Sequence, residues 1–92
     1  VANLMNMFWE PPDELEKRIK KAEALIDDGQ QLRAISEYEK IVEQYPDNIS
    51  SLKRLAQLYS WNEKPEKSIS CYEKIVKADP LDSQAMKKLA QI

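Results

Sequence analysis

An internal repeat of 34 residues constrains this 92-residue chain more than any other feature. Residues 35–42 read ISEYEKIV, and residues 69–76 read ISCYEKIV. The same offset places Pro46 on Pro80. A fixed period of this length is typical of stacked supersecondary units, because one unit alone cannot bury its apolar face. The chain is therefore expected to fold as an array of stacked units.

The apolar spacing within a unit is helical. In the first unit, apolar residues recur at intervals of three and four on both sides of Gly29. Proline lacks an N–H and clashes with the preceding turn, so Pro46 is predicted to end a helix, whereas Pro65 fits the first turn of one. Asn48 and Asp82 stand at equivalent positions where helix caps are expected. Each unit is therefore predicted to be a helix, a turn and a helix.

The register of the repeat organises residues 1–92 as a single domain. Pro12 lies one period before Pro46, so the opening segment is predicted to be the end of an earlier unit. We expect an all-α fold of about six helices, with both ends of the chain falling within a repeat. The predicted segments are a trailing helix at 1–12, complete repeats at 15–48 and 49–82, and the first helix of a further repeat at 83–92.

A two-helix unit of 34 residues with small residues at fixed places resembles the tetratricopeptide repeat. Arg18 and Lys21 depart from the family's usual large apolar residues, and we expect them to face solvent or to be covered by the preceding helix. The resemblance implies a right-handed superhelical α-solenoid whose first helices line a concave groove. The residues that carry it are Ala22, Leu25, Gly29, Ala34, Tyr38, Ile41 and Pro46 in the first unit, and Leu52, Leu55, Ala56, Tyr59, Ser68, Tyr72, Ile75 and Pro80 in the second.

The groove implied by the resemblance carries a strip of cationic side chains. Three columns at 34-residue spacing hold Ile19, Lys53 and Lys87; Lys20, Arg54 and Lys88; and Glu23, Gln57 and Gln91. Such a strip suits an acidic partner. The alternative is that Lys and Arg only keep exposed helices soluble and pair with acids at i+4 or i−3. Trp61 is either an exposed anchor or a cover for the turn or the next unit. The predicted partner-binding residues are Lys20, Lys53, Arg54, Gln57, Trp61, Lys87, Lys88 and Gln91.

The composition argues against most other classes of function. The chain has no histidine, one glycine and one cysteine, so it lacks His-dependent nucleophiles, His metal ligands, Gly-rich phosphate loops and an internal disulfide. Its net charge of −2 gives no basic excess for nucleic acid. No apolar run approaches the ~18 residues of a membrane span. We expect no enzyme, cofactor site or metal site, no nucleic-acid partner and no membrane span.

The predicted function is a non-catalytic protein–protein interaction or scaffold module of a larger protein, which binds a partner segment, acidic or otherwise, in its groove. The alternative is a structural spacer or self-association element of a longer array, stacking through partly covered apolar residues such as Leu55, Tyr59, Leu89 and Ile92. Residues 58–62 and Pro65 also resemble repeats of bacterial envelope proteins that handle exported polysaccharide. The compartment stays open between the cytoplasm and the bacterial periplasm.

Overall fold

Five helices make up the described part of the chain. The computed structural model describes residues 12–91. The helices are α1 (Pro12–Asp27), α2 (Gln31–Gln44), α3 (Ile49–Trp61), α4 (Pro65–Ala78) and α5 (Ser83–Gln91), and these residues include no strand. The predicted all-α fold is confirmed. The further helix predicted for residues 1–12 lies outside the described residues except for Pro12, which begins α1.

Three helices begin at the residues that the sequence predicts for helix starts. Asn48 Oδ1 accepts a hydrogen bond from the Ser51 amide at 2.9 Å, before α3. Asp82 Oδ1 accepts one from the Ala85 amide at 3.0 Å, before α5. Pro65 begins α4, where the missing N–H would have had no helical acceptor. These contacts fix where α3, α4 and α5 begin.

The two turns inside the helix pairs each contain one left-handed residue. Gly29 has φ +78°, and the Gln30 amide donates to the Leu25 carbonyl at 2.8 Å. Glu63 has φ +58° in the equivalent turn, where the following amide donates to the Tyr59 carbonyl at 2.8 Å. Glycine adopts this conformation freely, whereas a Cβ clashes with the backbone there. Glu63 therefore carries a backbone strain that Gly29 avoids.

We expect Glu63→Gly to raise the free energy of unfolding by about 0.5–1 kcal/mol, because relief of the left-handed strain exceeds the added freedom of the unfolded chain. Gly29→Ala should lower it by about 1 kcal/mol. A Cβ added at Gly29 meets no atom within 4 Å, so its cost is conformational alone. Urea denaturation followed by circular dichroism measures both changes. Unchanged stability in both variants would contradict the assignment of strain.

Small side chains lie between the paired helices. Ala22 and Ala34 are fully buried in the first pair, and Ala56 and Ser68 are fully buried in the second. The Ser68 hydroxyl donates to the Ala56 carbonyl at 2.9 Å, which satisfies the buried hydroxyl. Small residues at these places let the two helices approach closely. The larger members of the core are Ile35, Tyr38, Ile41, Leu52, Leu55, Leu58, Tyr59, Tyr72 and Ile75.

Two apolar residues that were expected to be partly uncovered are buried. Leu55 and Tyr59 belong to the core, because α3 packs against both α2 and α4. The expectation of open apolar surface at these two residues is therefore wrong. Leu89 is half-buried, and Ile92 lies outside the described residues. Within residues 12–91, the exposed large apolar side chains are Leu32, Trp61, Leu81 and Met86.

One face of α1 is polar where the equivalent face of α3 is apolar. Arg18 and Lys21 occupy the places of the buried Leu52 and Leu55 one repeat later. The Arg18 guanidinium donates to the side-chain oxygen of Gln44, and Lys21 is exposed. A cleft of about 810 Å³ on this side is lined mainly by charged residues of α1 and α2. Arg18 and Lys21 were expected to face solvent or to be covered by the preceding helix. Among the described residues Lys21 is exposed and Arg18 is half-buried, and the preceding helix lies outside them.

Candidate functional site

The first helices of the pairs, α1, α3 and α5, are tied together by two ion pairs of α3. Arg54 Nη2 lies 2.6 Å from Glu23 Oε1 on α1. Lys53 Nζ lies 2.6 Å from Oδ2 of Asp82, the residue before α5. We call the surface formed by these three helices the groove face. A depression of about 330 Å³ on it is lined by residues of α1, α2 and α3.

The Glu23 carboxylate joins three helices at the centre of this depression. It accepts hydrogen bonds from Tyr38 Oη of α2 at 2.6 Å, and from Arg54 Nε and Nη2 of α3 at 2.8 and 2.6 Å. The Arg54 Nη1 group also donates to Gln57 Oε1 at 3.1 Å. A two-pronged guanidinium contact of this kind is strong and directional. Arg54 is therefore held in place by Glu23.

The protonation behaviour of this cluster follows from its hydrogen bonds and burial. The hydrogen bond from Arg54 lowers the pKa of Glu23, and partial burial opposes that change without cancelling it. Burial raises the pKa of Tyr38, and its hydrogen bond to the Glu23 carboxylate raises it further. The bond to Glu23 also raises the pKa of Arg54. At neutral pH the cluster consists of a carboxylate, a guanidinium and a neutral phenol.

Lys53 forms the second ion pair of the groove face. Its ammonium group contacts Asp82, whose other carboxylate oxygen caps α5 through the Ala85 amide at 3.0 Å. The hydrogen bond from Lys53 lowers the pKa of Asp82, and the bond from the Ala85 amide lowers it further. The Asp82 carboxylate thus caps the start of α5 and also binds Lys53 of α3.

The other predicted cations have no acidic partner in the part of the chain that the structure describes. Lys20 on α1 and both Lys87 and Lys88 on α5 are exposed. The five cations predicted for the groove therefore fall into two that are paired internally, on α3, and three that are open, on α1 and α5. The centre of the groove face is close to neutral as a result, and its two sides are positive.

Three further predicted residues are Gln57, Trp61 and Gln91. Gln57 is half-buried beside Arg54. Trp61, the last residue of α3, is 54% exposed, so it does not serve as a covered packing residue within residues 12–91. The side chain of Gln91 lies outside the described residues. Trp61 is the one aromatic side chain among the predicted site residues.

Sequence reasoning missed the residues that complete the two ion pairs. Tyr38 is a core residue by its helical spacing, but its hydroxyl reaches the groove face. Arg54 and Glu23 are 31 residues apart, and Lys53 and Asp82 are 29 apart, so neither pair follows the spacing of neighbours on one helix. The sequence held one signal for the Arg54 pair. In the groove column of Glu23, Gln57 and Gln91, only Glu23 is an acid that could pair with a neighbouring cation.

Residues 12–91 contain neither a metal-binding cluster nor a membrane-spanning helix. No group of three or more His, Cys, Asp or Glu side chains among them is placed to hold a metal ion. None of the helices within this range is long and apolar enough to cross a membrane.

The fold and the groove face define an all-α helical-repeat protein. The family model described as Tetratricopeptide repeat matches residues 25–92, and the chain belongs to that family. The comparison with curated proteins finds no match. Tetratricopeptide repeats are generally protein–protein interaction modules that bind other proteins or peptides, and the family is typically non-catalytic.

We expect Glu23→Gln to lower the free energy of unfolding by about 1 kcal/mol at pH 7, a figure reduced for the partial exposure of the ion pair. The lowered pKa means that the carboxylate stabilises the fold above the unfolded glutamate pKa of about 4.3. That contribution disappears as the pH falls through the folded-state pKa. Urea denaturation should show a larger difference from wild type at pH 7 than at pH 3.

The matched control is Glu16→Gln, which changes an exposed glutamate on the same helix. It should leave the free energy of unfolding within about 0.5 kcal/mol of wild type at pH 7. Equal effects of the two substitutions would show that the Glu23 contacts add nothing to stability.

Proposed function

We propose that this chain is a non-catalytic scaffold module whose groove face binds an extended or helical segment of another protein. In this proposal residues 15–48 and 49–82 are the two complete repeats, and α5 opens a further one. The observation that carries the proposal is the row of first helices α1, α3 and α5, tied by two ion pairs into one surface with a solvent-open depression. Such extended surfaces are what helical repeat arrays use to bind partners.

The charge of the groove face favours a partner with acidic residues near the edges of the contact. The open cations are Lys20 on one side and Lys87 and Lys88 on the other, whereas Lys53 and Arg54 are neutralised by the chain itself. Complementary charges raise the rate and selectivity of association more than its affinity. An acidic segment crossing from α1 to α5 would meet positive charge on both sides.

Trp61 supplies an apolar anchor at one end of the same surface. A tryptophan that is about half exposed can bury a large area on binding and loses little conformational freedom in doing so. Asn62 next to it is held by hydrogen bonds to Gln31 Oε1 at 2.9 Å and to the Leu58 carbonyl at 2.8 Å. The end of α3 is thus fixed in place before a partner arrives.

We expect the triple variant Lys20→Glu, Lys87→Glu and Lys88→Glu to weaken partner capture from a native lysate by about tenfold or more. The three residues have no internal acidic partner among residues 12–91, so their reversal should leave the fold intact. Trp61→Ala should weaken capture by about 30-fold, because truncation of an anchoring tryptophan costs about 2 kcal/mol. Quantitative mass spectrometry of the captured proteins measures both effects.

The control reverses three exposed lysines of the second helices, Lys40, Lys74 and Lys77, which changes the net charge by the same amount. Circular dichroism should show native helix content in every variant. Partners lost only in the groove variants would support the proposal. Partners retained by the groove variants, or lost equally in the control, would reject the groove face as the binding surface.

A structural role is the second candidate, and the exposed apolar residues near α5 favour it. Leu81 is 92% exposed and Met86 is 52% exposed, whereas the outer face of α1 carries Arg18 and Lys21. Among the described residues, the exposed apolar surface available for self-association therefore lies near α5. Light scattering should then show a mass that rises with concentration and returns to the monomer in Met86→Glu. A role in polysaccharide export at the bacterial envelope stays a prediction from residues 58–62 and Pro65.

A further inference from the structure

The junction before α5 carries an ion pair that the equivalent junction before α3 lacks. Asn48 and Asp82 lie one period of 34 residues apart, and each caps the helix that follows it. Lys53, which binds Asp82, takes the register position that Ile19 occupies one repeat earlier. Ile19 is half-buried against the core. The first junction is therefore uncharged at these two positions, whereas the second is ionic.

The Asp82 carboxylate is shielded from solvent at the start of α5. Its side chain is 7% exposed, whereas that of Lys53 is 42% exposed. Oδ2 lies 2.6 Å from Lys53 Nζ, and Oδ1 accepts from the Ala85 amide at 3.0 Å. A shielded carboxylate that loses its counter-charge is destabilising until it reaches water. Since Asp82 caps α5, its movement into water would carry the start of that helix with it.

Apolar contacts hold α5 less firmly than they hold α3. Of the α5 side chains that the structure describes, Ala85 is buried, Leu89 is half-buried and Met86 is 52% exposed. A helix with few buried contacts opens locally at a lower cost than the rest of the fold. The ion pair therefore makes up a large part of what keeps α5 docked. The buried side chains of α3 are, by contrast, Ser51, Leu52, Leu55, Ala56, Leu58 and Tyr59.

We infer that the Lys53–Asp82 ion pair is a charge-dependent latch, which keeps α5 docked while the pair is formed and lets it separate locally when the pair is broken. α5 carries Lys87 and Lys88, two of the three open cations of the groove face. The latch therefore decides whether these charges belong to that face. This consequence for binding rests on the proposed function, whereas the latch itself does not.

The first test converts the second junction into a copy of the first. Asp82→Asn keeps a capping acceptor, as Asn48 shows, and removes the charge. Lys53→Ile introduces the residue type of Ile19 and leaves the Asp82 carboxylate without its counter-charge. Millisecond hydrogen–deuterium exchange, read by mass spectrometry, measures the opening of α5. We expect its amides to exchange about threefold faster in Asp82→Asn and about fivefold faster in Lys53→Ile.

The double variant separates a latch from a simple loss of contacts. With both charges removed, no shielded carboxylate is left unpaired, so α5 should exchange within about threefold of wild type. Independent effects would instead multiply to about 15-fold, and that result would overturn the inference. Amides of α1 and α2 serve as the internal reference and should exchange at the wild-type rate in every variant.

A salt titration tests the latch in the unaltered protein. Raising sodium chloride from about 10 mM to about 0.5 M shortens the Debye length from about 30 Å to about 4 Å, which weakens a partly exposed ion pair. α5 of the wild type should then exchange about two- to threefold faster. The double variant is the matched control and should not respond. An equal salt response in the two proteins would overturn the inference even if a single variant fails to fold.

The latch and the proposed function fail in different experiments. The exchange data on the free protein reject or support the latch whatever the groove face binds. Oligoglutamate of about ten residues is a probe for the acidic segment proposed to cross from α1 to α5, and it should slow exchange of α5 because it binds the docked state. Unchanged α5 exchange with this probe would remove α5 from the proposed binding surface and leave the latch standing.

Discussion

The fold depends on the close approach of the two helices in each pair at fully buried small side chains. Ala22 and Ala34 serve the first pair, and Ala56 and Ser68 serve the second. Larger residues at these places would force the helices apart and leave gaps around the aromatic core. The same approach has a functional consequence. It brings α2 near enough to α1 for the Tyr38 hydroxyl, on a ring that lies in the core, to reach the carboxylate of Glu23 on the groove face.

The groove face combines rigid and open parts. Its centre is held by the Glu23 and Asp82 carboxylates, which bind the two cations of α3 and connect that helix to α1 and α5. Internal pairing reduces the charge that a partner meets at the centre, and it fixes the relative positions of the three helices before binding. Since side chains that are already ordered lose less entropy on association, this arrangement favours recognition by a preformed surface.

Small differences between the repeats carry the specific features of this chain. The scaffold positions are filled alike, yet Glu23 is replaced by Gln57, Gly29 by Glu63, and Arg18 by Leu52 in the second unit. The first change removes an internal acid from the groove face, and the second introduces backbone strain in a turn. The third places a buried leucine on α3 where α1 has an arginine. Comparison of equivalent residues in the two units therefore shows the effect of each difference.

The sequence alone determined the helical array, because a 34-residue period, helical apolar spacing and punctuating Gly and Pro residues all act locally along the chain. The capping roles of Asn48 and Asp82 also follow from local backbone chemistry. Sequence reasoning placed a continuous cationic strip on the groove and partly uncovered apolar surface at Leu55 and Tyr59. Only the tertiary structure shows that Leu55 and Tyr59 are buried. It also shows that Arg54 pairs with Glu23 and Lys53 with Asp82. The physical reason is that burial and ion pairing depend on which helices become neighbours, and contacts across about 30 residues leave no periodic trace in the sequence.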